Sequence, residues 1–129
     1  MNSITIQGPN GGYIREEESI FGFTCTVSSI INLDQHPIDL EIIVHPTYIR
    51  SHPDAYGLCY EKDEGMIQIH LARKCSEGCT VDMYSTLTHE LLHARQTALG
   101  ERMVERPVRK HEDFIYELAK ERLSWNIKK

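Results

Sequence analysis

The run Leu87-Thr88-His89-Glu90-Leu91-Leu92-His93-Ala94 constrains this chain more than any other stretch, because its spacings are coherent on a helix. Residues four apart on an α-helix stand one turn above each other on the same face. At about 100° per residue, Tyr84, Leu87, Leu91, Ala94 and Ala98 gather opposite His89. His93 falls close to His89, flanked by Ser85, Thr86 and Gln96. One face can therefore pack on a core while the histidine face looks into a cleft. Thr80 suits an N-cap and Gly100 a C-terminal stop, so the expected helix covers residues 80–99.

Two imidazoles one turn apart can share a metal ion, with zinc the expected cofactor at roughly 2.0–2.1 Å from each nitrogen. Glu90 lies about 100° around the helix from His89. There it can reach a water on the metal without becoming a ligand. Zinc acidifies such a water, and a nearby carboxylate can take its proton and later pass it to a leaving amine. His89 and His93 are thus candidate metal ligands, and Glu90 is the candidate catalytic base.

A catalytic zinc takes a third protein ligand and keeps a fourth position open. The metzincin extension would need Gly at position 96 and His at position 99; Gln96 and Leu99 exclude it. Downstream carboxylates are available at Glu112, Glu117 and Glu121. His111 is the favoured third ligand, since Phe114, Ile115 and Leu118 follow it at i+3, i+4 and i+7 and put it on an expected buried face. Cys79 is an upstream rival, in Glu77-Gly78-Cys79. That tripeptide is similar to a deformylase element, but deformylases separate it from the HExxH run by far more.

With 129 residues, 40% apolar and 26% charged, residues 1–129 suit a single globular domain. A domain of that size buries a core without metal or disulfides, so a metal here is expected to serve function. The formal charge of −5, from 14 basic against 19 acidic residues, argues against nucleic acid as a partner. The first ten residues show no basic and apolar signal-peptide regions, and no apolar run approaches the roughly 20 residues that span a bilayer. The expectation is a soluble, cytoplasmic protein with no membrane partner. Cys25, Cys59, Cys75 and Cys79 lack the spacing of a zinc ribbon and read as free thiols, with a Cys75–Cys79 disulfide the alternative.

Residues 3–7, 38–45, 57–60 and 66–71 read as strands, the last two joined by a turn at residues 62–65. Residues 20–33 fit a strand and a helix equally well. Residues 100–110 read as a connector in which Pro107 breaks any helix, and a last helix is expected from His111 to Trp125. Strands followed by helices point to an α+β fold. Arg102, Arg106, Arg109 and Lys110 read mainly as a solvated connector, and Tyr56, Tyr84 and Tyr116 as core or rim residues, although either group could steady an oxyanion. His36, His45, His52 and His70 lack ligand spacing.

Four pieces in order carry a resemblance. They are Ala55-Tyr56-Gly57-Leu58-Cys59, Met66-Ile67-Gln68-Ile69-His70-Leu71, the HExxH run with its following Ala94, and His111-Glu112-Asp113-Phe114. Together they make the chain similar to the SprT-like zinc metallopeptidases over roughly two-thirds of its length. The resemblance implies a minimal zincin fold, with a small mixed sheet packed on the HExxH helix and a C-terminal helix. It also implies His111 as third ligand, Glu90 as base and a polypeptide substrate. In such a fold residues 66–71 would be an edge strand on which substrate is laid by strand addition, with Ile67, Ile69 and His70 as substrate-binding residues. Two rivals remain: a non-catalytic zinc-containing binding module, recognised by a fourth ligand closing the site, and a zinc amidase on a small molecule, recognised by a deep closed pocket.

Overall fold

The structure, a computed structural model, describes residues 1–74 and 82–125. In chain order these form β1 (Ser3–Gln7), α1 (Glu17–Ile30), a short 3-10 turn (Leu33–Gln35), β2 (Asp39–His45), β3 (Gly57–Asp63), β4 (Met66–Ala72), α2 (Met83–Ala98) and α3 (Glu105–Leu123). The ambiguous segment is a helix. Ile20, Phe23, Thr24, Val27 and Ser28 are buried at helical spacing, while Phe21 and Cys25 are exposed. A strand would have buried Phe21, Phe23 and Cys25 together. Asn32 in the left-handed region (φ 62°) follows the helix end. The order is therefore not simply strands then helices: β1 and β2 are parallel neighbours, and such a pair needs a crossover, which α1 supplies.

The sheet order is β1-β2-β4-β3, with β2 parallel to β4 and β3 antiparallel to β4. Leu40, Ile42, Val44, Ile67, Ile69 and Leu71 alternate onto the face that meets Phe23, Leu87 and Leu91 of the helices. The fold is thus α+β, a small mixed sheet packed on the helices. The β3–β4 hairpin turns at Gly65, whose φ of 77° favours glycine.

One expectation about the sheet is corrected here. β4 is an inner strand paired on both sides, so residues 66–71 offer no free edge, and Ile67 and Ile69 are fully buried core residues rather than substrate contacts. The edge strand beside α2 is β3.

Asp82 caps α2, its carboxylate accepting from the Tyr84 and Ser85 amides. The proposed Thr80 cap, Cys75 and Cys79 lie outside the described residues. Gly100 (φ 74°) ends α2 as expected. The second correction concerns α3, which begins at Glu105, so Pro107 does not break it. Pro107 occupies the first turn, where its missing N–H would have had no helical partner. α3 packs on α1 and α2, and Phe23, Tyr84, Tyr116 and Trp125 interlock at ring distances of 4.8–6.1 Å to join all three helices.

Candidate metal centre

His89 and His93 point from mid-α2 toward the start of α3, their rings 4.8 Å apart and 75° to each other. His89 Nε2 meets Glu105 Oε1 at 3.1 Å, and His93 Nε2 meets Glu105 Oε2 at 3.0 Å. The ligand-type atoms of these three residues all lie within 4.8 Å of one another. On the far side of each ring stands another oxygen: Glu112 Oε1 at 2.5 Å from His89 Nδ1, and Gln96 Oε1 at 2.9 Å from His93 Nδ1. An oxygen acceptor at Nδ1 keeps a proton there and leaves the lone pair on Nε2, the nitrogen turned toward Glu105. Two such nitrogens and one carboxylate form a donor set that suits a divalent metal such as zinc.

Glu105 is the residue that sequence reasoning placed in a solvated connector. Its signal is visible in hindsight: Glu105 and Glu112 are seven apart, two turns on one helix face, with Val108 buried beside them. His111 falls about 100° off that face. It is exposed, and it is not among the gathered ligand atoms. The face that sequence assigned to the core also carries Phe114, which is exposed. Of the other downstream carboxylates, Glu117 pairs with Lys120 at 3.4 Å.

Glu90 is 6% exposed, and its carboxyl is pushed up to about 7, chiefly by burial. Attraction from His89 opposes this, while Glu105 and Glu112 add to it. Gly57, at the start of β3, lies so close that a Cβ there would sit 2.7 Å from Thr86 Cγ2 and 2.9 Å from Glu90 Oε2. Glycine is needed at this point to let the edge strand approach α2. The neighbouring Cys59 is a free thiol pushed well up by burial and then by Glu90, which makes it inert.

A cleft of about 380 Å³ opens here, lined by Tyr56, Gly57, His89, Glu90, Arg109 and Glu112. Ser85 and Thr86 line it as well, and Arg109 pairs with Glu105 at 3.6 Å. Tyr84 is engaged with Ser19, and Tyr116 donates to Asp82. His70 lies away from the cleft, on the sheet face turned from the helices, where its Nδ1 meets His45 Nε2 at 2.8 Å.

No family model matches the chain, and no curated protein matches its sequence. Among solved structures, a Wss1 mutant from Saccharomyces cerevisiae is similar with a TM-score of 0.49 and 12% identity, over 98% of this chain and 95% of that one. Among the described residues, no helix is long and apolar enough to cross a membrane.

Proposed function

We propose that the chain is a zinc-dependent peptidase in which His89, His93 and Glu105 hold the metal and Glu90 is the general base. The observation that carries this reading is the convergence of two Nε2 atoms on the two oxygens of one carboxylate, beside a second, buried carboxyl. A divalent metal bound there supplies Lewis acidity and acidifies a coordinated water.

The chain's own groups supply the rest. Glu90, with a carboxyl near 7, suits a base at neutral pH. It takes the proton of the attacking water and returns it to the leaving amine. Glu112 holds the His89 ring through Nδ1. The cleft is bordered by the edge strand β3, so an extended polypeptide can add its backbone at Gly57–Cys59, which favours a peptide over a small-molecule amide. Tyr56 and Arg109 line the cleft, and either would steady the developing oxyanion in this reading. The reading agrees with the resemblance to SprT-like zinc peptidases, with Glu105 in place of the downstream histidine.

The test is zinc analysis of the purified chain together with hydrolysis of an unfolded polypeptide, before and after chelation. One ion per chain and chelator-sensitive, zinc-restorable cleavage are expected. Bound zinc without cleavage would indicate a binding module instead, and a folded chain that takes up no zinc would overturn the metal centre.

A further inference from the structure

We infer that Gln96 is the positioning residue that couples the metal ligand His93 to the start of α3, and so sets where Glu105 stands; the inference rests on the metal centre of the peptidase reading, not on its catalysis. Gln96 is 6% exposed, and its amide makes three hydrogen bonds. Nε2 donates to the Val104 carbonyl at 3.1 Å, and Oε1 accepts from the Val104 N–H at 3.2 Å. The same Oε1 faces His93 Nδ1 at 2.9 Å.

The Val104 backbone fixes the orientation of this amide. An N–H requires an acceptor and a carbonyl requires a donor, so the oxygen end of Gln96 must be the end beside His93. An amide oxygen cannot donate. Nδ1 of His93 therefore carries the proton, and Nε2 is directed at the Glu105 side of the ring.

Val104 is also the N-cap of α3, and it has no side chain able to cap. Gln96 instead satisfies the N–H of Val104 itself, one of the helix-start donors without an intrahelical partner, from the preceding helix. Its main chain acts in the same turn: the Gln96 carbonyl accepts from Glu101 at 2.9 Å, and Thr97 accepts from Gly100 at 3.0 Å, closing α2. Both the main chain and the side chain of Gln96 thus shape the turn over residues 100–104. Glu105 follows directly, with a side chain 56% exposed that meets His89, His93 and, at 3.6 Å, Arg109. Its backbone starts the helix directly after Val104, so the amide that fixes Val104 sets where this side chain begins. A ring nitrogen and a carboxylate from different helices are brought into register by one buried amide.

The experiment measures zinc affinity by chelator competition, and the visible spectrum of the cobalt-substituted protein, for wild type, Gln96→Leu, Gln96→Glu and Gln96→Asn. Gln96→Leu is expected to weaken zinc binding by about 10- to 100-fold, the usual cost of an outer-sphere partner, and to change the cobalt spectrum. Gln96→Glu still accepts from His93 and from the Val104 N–H but cannot donate to the Val104 carbonyl, so its affinity should fall between those of Gln96→Leu and wild type; an affinity equal to wild type, or no better than that of Gln96→Leu, would count against the coupling. If Gln96→Leu fails to fold, Gln96→Asn decides, since its amide ends one methylene short and should lose affinity likewise. Wild-type affinity and spectrum in Gln96→Leu or Gln96→Asn would overturn the inference. A wild-type chain that binds zinc, loses it in these variants and yet cleaves no peptide would sink the peptidase reading and leave the coupling standing. A peptidase insensitive to the variants would do the reverse.

Discussion

Two histidine pairs in this small fold look alike by distance and differ in chemistry. The rings of His89 and His93 are 4.8 Å apart, and those of His45 and His70 are 5.1 Å apart. The first pair stands nearly perpendicular, and each Nε2 faces an oxygen of Glu105. The second is nearly parallel, at 27°, and turns its nitrogens on each other at 2.8 Å. A nitrogen–nitrogen hydrogen bond consumes one proton and one lone pair. The other nitrogen of His70 is engaged by Gln68 and Tyr60, which are neutral. Burial holds both His45 and His70 below the ordinary histidine range, and so favours their uncharged forms. Proximity of two imidazoles is thus not enough for a metal. Direction and an opposing carboxylate separate the proposed ligand pair from the other.

That contrast can be broken most severely at Glu90. Glu90→Gln should keep its zinc and lose about 10²- to 10⁴-fold in turnover, the range for a general base; unimpaired turnover by zinc-loaded variant would remove the mechanism. The same substitution has a pH signature in the metal-free protein. Because the Glu90 carboxyl is raised to about 7 in the fold, the folded state binds the extra proton, and stability falls as pH rises from about 4.5 to 7. Glu90→Gln should therefore be more stable than wild type above pH 7, by something on the order of 3 kcal/mol, and equal to it near pH 4. Urea titrations at the two pH values read this directly, and equal stability at both would refute it.

A smaller effect sharpens the choice of third ligand. Glu105→Ala should loosen zinc at least about tenfold, whereas His111→Ala and His70→Ala should leave it unchanged in equilibrium dialysis. The reverse result for Glu105 and His111 would restore the ligand favoured from sequence. The smallest effect is acid sensitivity. His70 is depressed in the fold, so its contribution is present above about 6.5 and is lost as pH falls. His70→Asn should flatten the acid side of the unfolding profile, and an unaltered profile would remove His70 from the account.

The two pairs also mark what a sequence discloses. His89 and His93 belong to one helix, where spacing is geometry, so their convergence and the placing of Glu90 could be read directly. His45 and His70 meet because β2 and β4 are parallel neighbours with Ile43 opposite His70, a pairing made across 25 residues of chain. Nothing local announces it. Glu105 fell between the two cases. Its helix was legible, but Pro107 read as a barrier rather than as a first-turn residue, and that misplaced the start of α3 by six residues, from Glu105 to His111. The inner position of β4 was hidden for the same reason as the histidine pair, since strand order is a tertiary property.

Among the described residues, β3 pairs on one side only, and this bears on self-association as well as on the proposed catalysis. A row of unpaired backbone groups that welcomes a guest chain will also welcome a sister molecule. The strand divides these tasks along its length. Gly57, Leu58 and Cys59 leave the end beside the cleft bare of charge, while Glu61, Lys62 and Asp63 crowd the other end, where the pairing register also shifts. Charged side chains and an irregular register discourage edge-to-edge pairing, so the far end acts as a guard that keeps the near end available.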